Sequence, residues 1–274
     1  MGKVLGRFRA GLGSGVWVLL LLVAVFGVVL NVPLTRGQSG TIFIRADGTI
    51  DPPTAPIQRV GDVYTFTGNI SETIEVQRNS VTIDGNGYTL QGSGDYGFYL
   101  FDRDHVTIKN TNIVGFFNGI DLFRSRDCTI SENNIANNQN GVHIHFFCMR
   151  NTIRDNNITD NTNCGITIYG DSIENVVYHN NFIDNNQQAS AQFAASAAWG
   201  NGAEGNYWSD YTGADSNGDG RGNTPYMIEK ESQDTYPLMQ VIPEFSSLII
   251  LPLFMIVTLL SVTVYRRRMK GADG

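Results

Sequence analysis

Cys128-Thr-Ile-Ser-Glu-Asn-Asn-Ile135 and Asn151-Thr-Ile-Arg-Asp-Asn-Asn-Ile158 carry nearly the same message 23 residues apart. Val81-Thr-Ile and Val106-Thr-Ile come before them, and Asn175-Val-Val-Tyr-His-Asn-Asn-Phe comes after. The middle residues Thr82, Thr107, Thr129, Thr152 and Val176 are therefore separated by 25, 22, 23 and 24 residues. A period of this length means a solenoid. The unit is too short and too poor in helix formers for paired helices, but it suits three short strands joined by turns, which is one coil of a parallel β-helix.

A second strand repeats in the same rhythm. Gly97-Phe-Tyr-Leu-Phe, Gly119-Ile-Asp-Leu-Phe, Gly141-Val-His-Ile-His and Gly165-Ile-Thr-Ile-Tyr follow one another at 22, 22 and 24 residues, with Ala189-Ser-Ala-Gln-Phe a faint fifth match. Side chains alternate across a strand. Phe98, Leu100, Ile120, Leu122, Val142, Ile144, Ile166 and Ile168 are thus expected inside, beside Ile83, Ile108, Ile130, Ile153 and Val177 from the first strand and Ile113, Ile135, Ile158 and Phe182 from the third. Asn112, Asn134, Asn157 and Asn181 are expected to stack as a side-chain amide ladder at a turn. Gly119, Gly141 and Gly165 read as turn requirements.

The chain has 274 residues, with 30 Gly and little Leu, which favours turn-rich β coils over a helical domain. Lys3, Arg7 and Arg9 precede an apolar run from Val16 to Leu30, the pattern of a secretory signal or signal anchor over residues 1–40. A second apolar run, Ser246 to Tyr265, is 20 residues long and would be about 30 Å as a helix, enough to cross a bilayer; Arg266, Arg267, Arg268 and Lys270 follow it. Residues 10–265 hold 12 basic and 25 acidic residues, a net charge of −13, which argues against nucleic acid as a partner. Cys128, Cys148 and Cys164 are an odd set, so at most one disulfide can form.

The Thr-Ile-x-x-Asn-Asn-Ile coils, Gly205-Asn-Tyr-Trp-Ser-Asp-Tyr, Asp215-Ser-Asn-Gly-Asp-Gly-Arg-Gly-Asn-Thr-Pro-Tyr and Tyr236-Pro-Leu-Met together resemble the NosD-like proteins of the pectin-lyase-like superfamily, over about residues 41–240. The resemblance implies a right-handed parallel β-helix. It also implies an association with carbohydrate binding, sugar cleavage or, in the founding case, copper delivery to nitrous oxide reductase. Pro243-Glu244-Phe245, ahead of the second apolar run, resembles the Pro-Glu-Phe sorting signal of archaeal surface proteins, which implies a sortase-like processing enzyme as a partner. The expected organisation is then a signal segment to residue 40, a capped β-helix over 41–200, a C-terminal cap with an acidic loop over 201–240, and a sorting and membrane segment over 241–274. The location expected is the outer face of the cell membrane.

The outward positions of the second strand form two columns: Tyr99, Asp121, His143, Thr167 and Phe101, Phe123, His145, Tyr169. Three intercoil gaps make a stripe roughly 14 Å long, in which aromatic faces lie beside hydrogen-bonding groups. Sugars need both, so noncatalytic binding of a polysaccharide or surface glycan is the leading expectation. The alternatives are a segment packed over Phe101 and Phe123, a polysaccharide lyase or glycoside hydrolase working through Asp121, and a copper protein using His143, His145 and Cys148. The enzyme reading lacks a second carboxylate in either column, leaving Asp102, Asp104 and Asp127 in neighbouring turns. Asp215, Asn217, Asp219 and Asn223 occupy positions one, three, five and nine of a calcium loop, but Tyr226 stands where a bidentate Glu belongs. Asn69-Ile-Ser and Asn157-Ile-Thr are glycosylation sequons.

Overall fold

The computed structural model describes residues 40–243 other than Ala194, Lys230 and Glu231. The expected signal run, Glu244 and Phe245 of the sorting motif, and the second apolar run lie outside these residues. Among the described residues no helix is long and apolar enough to cross a membrane.

Most strands stack into three sheets that enclose one core, parallel except for an antiparallel edge pair in two of them, and one antiparallel pair, Tyr226–Glu229 with Ser232–Asp234, stands apart. Thr41–Ile44, Thr73–Val76, Tyr96–Phe101, Asn118–Phe123, Asn140–His145, Cys164–Tyr169 and Gln187–Gln192 follow one another in the first sheet. The Thr-Ile strands Thr107–Lys109, Thr129–Ser131 and Thr152–Arg154 lie in the second, and Asn112–Val114, Asn134–Ala136 and Asn157–Thr159 in the third. The described residues form an all-β parallel β-helix. All seventeen residues expected inside are fully buried. Each buried aliphatic contributes about 1.5–3 kcal/mol through removal from water, which a single coil cannot achieve alone.

The register matches the expected columns, with Tyr99 beside Asp121, Asp121 beside His143 and His143 beside Thr167. Two expectations shift. The faint fifth match is displaced by one position, because Ala189 pairs with Ile166 rather than with Gly165. The first sheet also extends past Tyr99 to Glu75, so the Asp121 column does contain a second carboxylate. It lies two strands away, at roughly 9–10 Å between backbone positions, with Tyr99 between them.

The ladder of amides runs one residue earlier than expected. Asn133 Nδ2 donates to Asn156 Oδ1, Asn156 Nδ2 to Asn180 Oδ1, and Asn180 Nδ2 to Asn206 Oδ1, at 2.9–3.0 Å. Glu132, Asp155 and His179, which precede three of them, have φ of 58°, 56° and 54°. That left-handed residue turns the next side chain into the corner, and the following Asn begins a strand facing out. Asn134 and Asn157 are accordingly half-exposed and share one longer contact of 3.3 Å. The glycines are not turn residues either: a Cβ on Gly141 would stand 2.4 Å from the Gly165 carbonyl oxygen, so close approach between coils excludes a side chain.

The C-terminal end is closed by aromatic rings. Trp208 stacks between Phe182 and Tyr226, with centroids at 4.4 and 4.2 Å.

Candidate metal centre

The centre lies on the outer side of the first sheet. A Cβ on Gly119 would meet Ile135 at 3.1 Å in the interior, and Ile120 is also inside. Asn118 and Asp121 consequently emerge on the same outer side, where Asn118 Nδ2 donates to Asp121 Oδ2 at 2.8 Å. The next coil supplies both imidazoles. His143 Nδ1 lies 3.0 Å from Asp121 Oδ2, and His145 Nε2 lies 3.0 Å from Asp121 Oδ1. The two rings stack with centroids 4.2 Å apart at 21°.

Asp121 is 1% exposed, while the His143 and His145 side chains keep 25% and 16%. A carboxylate this buried needs charged or hydrogen-bonding partners. Burial pushes its pKa up, but hydrogen bonds from His143 and His145, reinforced by their charge, outweigh that and hold it below the usual carboxylate value. Burial raises the Tyr99 phenol, and the Asp121 charge raises it further.

One donor atom from each of Asp121, His143 and His145 lies within 4.8 Å of the others. Two imidazole nitrogens and a carboxylate oxygen suit a divalent transition metal such as Cu(II). Cys148, the sulfur expected to join the histidines, points the other way. Its side chain is fully buried, and Sγ accepts from Ser125 N–H at 3.3 Å and sits beside the Leu122 carbonyl oxygen. Burial pushes its thiol up to about 11, away from the thiolate a metal needs. Asp121 takes the place assigned to sulfur.

The rest of the stripe remains open. Phe101 is 46% exposed and stacks on Phe123 at 5.3 Å, so no described segment covers it. Phe146, Tyr169 and Phe193 continue the aromatic contacts. Two of the three turn acids are engaged elsewhere, Asp104 with Arg126 and Asp127 with Arg150.

In the acidic loop, Asp215 accepts the N–H groups of Gly218, Asp219 and Gly220, and Asp219 accepts that of Arg221. Asn217 donates to Asp219, and Asn223 accepts from Ser216 N–H. The loop's four expected calcium ligands serve as its own turn closures.

Sequence reasoning missed Asn118, Asn140 and Asn163, although Asn118-Gly119 and Asn140-Gly141 recur in step with the strand. Their side chains form a chain beside the site. Asn163 Nδ2 donates to Asn140 Oδ1 at 2.7 Å, and Asn140 Nδ2 to Asn118 Oδ1 at 2.8 Å.

A family model described as periplasmic copper-binding protein (NosD) matches residues 60–213, more than half of the chain and the part that contains the centre. A curated protein of Stutzerimonas stutzeri, the probable ABC transporter binding protein NosD, is 38% identical over 76 residues. That match covers 28% of this chain and 17% of that protein, so the chain aligns with about a sixth of its relative's length.

Proposed function

The chain belongs to the NosD family of periplasmic copper-binding proteins, and from that premise we propose that it is an exported protein that binds Cu(II) at Asp121, His143 and His145. The observation that carries this reading is the convergence of two imidazoles and a buried carboxylate within 4.8 Å across adjacent coils. Asp121 supplies the negative charge that favours a cation. A ring nitrogen that donates its N–H to Asp121 has no lone pair free, so cation binding requires the proton to leave His143 Nδ1 and His145 Nε2. The inward turn of Cys148 leaves the site without sulfur, which favours Cu(II) over Cu(I).

The test is copper content after Cu(II) loading of the full chain and gel filtration, with the electron paramagnetic resonance spectrum of the product. One copper per chain with nitrogen hyperfine structure is expected, and it should be lost in a variant carrying His143→Ala and His145→Ala. A wild-type chain that leaves the column metal-free, or a double variant that still carries copper, overturns the reading.

The aromatic stripe, exposed at Phe101 and half-buried at Tyr99, Phe123 and Tyr169, favours a second reading, attachment of a glycan along it at the cell surface. Retarded migration of the full chain through polysaccharide gels, relieved by Phe101→Ala, would support it; unchanged mobility in every gel would remove it.

A further inference from the structure

The amide chain beside the centre has a fixed polarity. A carboxylate accepts hydrogen bonds and donates none. Asp121 therefore obliges Asn118 to present its NH2, which leaves Asn118 Oδ1 facing Asn140. Asn140 must then present its NH2 in turn, and its Oδ1 receives Asn163 Nδ2. Two of these bonds run toward the preceding coil, Asn163 to Asn140 and Asn140 to Asn118, and the last donor, Asn118, ends on Asp121 Oδ2 on its own strand. Asn118 and Asn140 are buried, so a reversed amide would set an oxygen against an oxygen away from water. Aligned amide dipoles also strengthen one another.

Asp121 Oδ2 accepts from both Asn118 and His143. Of the two, His143 is in the proposed ligand set, and its Nδ1, also 3.3 Å from Asn118 Nδ2, would turn to the cation, whereas Asn118 is not and keeps its N–H on Asp121. We infer that Asn118, locked by Asn140 and Asn163, is the positioning residue that fixes the orientation of the Asp121 carboxylate for metal binding. This rests on the copper reading for its consequence, but the lock itself is a property of the metal-free protein. Residues that orient a ligand in this way typically change metal affinity by about 10–100-fold when altered. Asn140 touches neither the ligands nor the cation, so its effect must travel through Asn118.

The experiment replaces Asn140 in the full chain. Asn140→Asp presents only acceptors to Asn118, which would have to rotate and turn its Oδ1 toward Asp121. Asn140→Leu removes the donor without adding charge and controls for electrostatics. Asn134→Asp alters the corresponding amide contact on the third sheet, away from the centre. Two readouts are needed: Cu(II) affinity by chelator competition with the paramagnetic resonance spectrum, and the side-chain NH2 resonances of Asn118 by ¹H–¹⁵N NMR without metal.

The expected result is that Asn140→Asp shifts the Asn118 NH2 resonances and weakens copper binding by about 10-fold or more with a changed spectrum. Asn140→Leu should act in the same direction but less strongly, and Asn134→Asp should do neither. Unchanged Asn118 resonances in both Asn140 variants overturn the inference whether or not copper binds. Shifted resonances with wild-type copper affinity and spectrum also overturn it, because the lock then does not position the ligand. If the wild-type chain binds no copper while the resonances shift as expected, the copper reading fails and the amide lock is supported in the metal-free protein.

Discussion

Asp234 Oδ2 accepts the backbone N–H of Asn206 at 2.7 Å, and with that bond the corner ladder that starts at Asn133 ends on a carboxylate. Along the ladder the amides of Asn133, Asn156, Asn180 and Asn206 donate toward the C-terminus, whereas those of Asn163 and Asn140 donate toward the N-terminal coils and Asn118 donates to Asp121 on its own strand. In both chains the final acceptor is a buried Asp that can only accept. Asp234 also receives Trp208 Nε1–H and Tyr236 N–H, both at 2.9 Å, so it binds the Trp-rich cap to the last coil.

Asp234→Ala should therefore be among the most damaging single changes in the cap. It leaves the Asn206 and Trp208 donors buried without an acceptor, at about 1–3 kcal/mol each. Urea denaturation should show a loss of about 3 kcal/mol or more with little change in slope. A loss below about 0.5 kcal/mol would mean that the ladder does not need its carboxylate end.

Neighbouring asparagines in one motif should behave differently. Asn156 Nδ2 donates to the Ile130 and Arg154 carbonyls and to Asn180, and its Oδ1 accepts from Asn133. Asn156→Ala should cost about 3 kcal/mol, since several buried groups lose partners at once. Asn157→Ala, next along the chain, removes one long contact and should stay within about 0.5 kcal/mol. Equal losses in the two variants would contradict the placement of the ladder.

This pair also marks how far the sequence could be read. Period and alternation place Ile130, Ile153 and the outward columns correctly, because a period-two strand leaves only two faces to choose between. The choice between Asn156 and Asn157 depends on Asp155 adopting a left-handed angle, and either Asn is chemically suited to the ladder. The same difficulty hides Asn118: two successive interior residues, Gly119 and Ile120, break the alternation that would have placed it. Asp121 was visible as an outward acid, but its contact with both imidazoles depends on ring orientations that no spacing encodes. The copper alternative groups Cys148 with the histidines because it follows His145 closely; the turn at Phe146 and Phe147, with φ of 53° and 63°, returns the chain to the interior first.

The Asp121 centre should leave a signature in acid. Burial works to raise the Asp121 pKa, and the His143 and His145 hydrogen bonds overcome it, so the folded value lies below the unfolded value of about 3.9. A group depressed on folding adds stability above its unfolded pKa and loses it as pH falls through the folded value. Asp234 is shifted the opposite way, raised chiefly by burial, so total stability mixes the two. The gap between wild type and Asp121→Asn isolates the first. Read from urea midpoints at constant ionic strength, that gap should narrow as the pH is lowered from about 4 to about 2.5. A gap that stays constant or widens over that range would deny Asp121 its depressed pKa.

The cysteines offer the sharpest separation between the expected copper set and the observed one. Burial pushes the Cys128 thiol up to about 12 and the Cys148 thiol up to about 11, and raises Cys164 as well. All three are free and buried. A thiol without thiolate character and without access to solvent is inert. The folded chain at pH 8 should react negligibly with a disulfide reagent, and the denatured chain should release three equivalents, one for each free cysteine. Cys148 lies in a column with Ser125 and Ser172, whose N–H and hydroxyl are its neighbours above and below. Cys148→Ser consequently preserves the shape and hydrogen bonding of the column. That variant should bind Cu(II) within about 2-fold of wild type, whereas His145→Ala should fall by more than the about 10–100-fold of an outer-shell change. Loss of copper in Cys148→Ser with unchanged stability would return sulfur to the ligand set and require the coil to open around it.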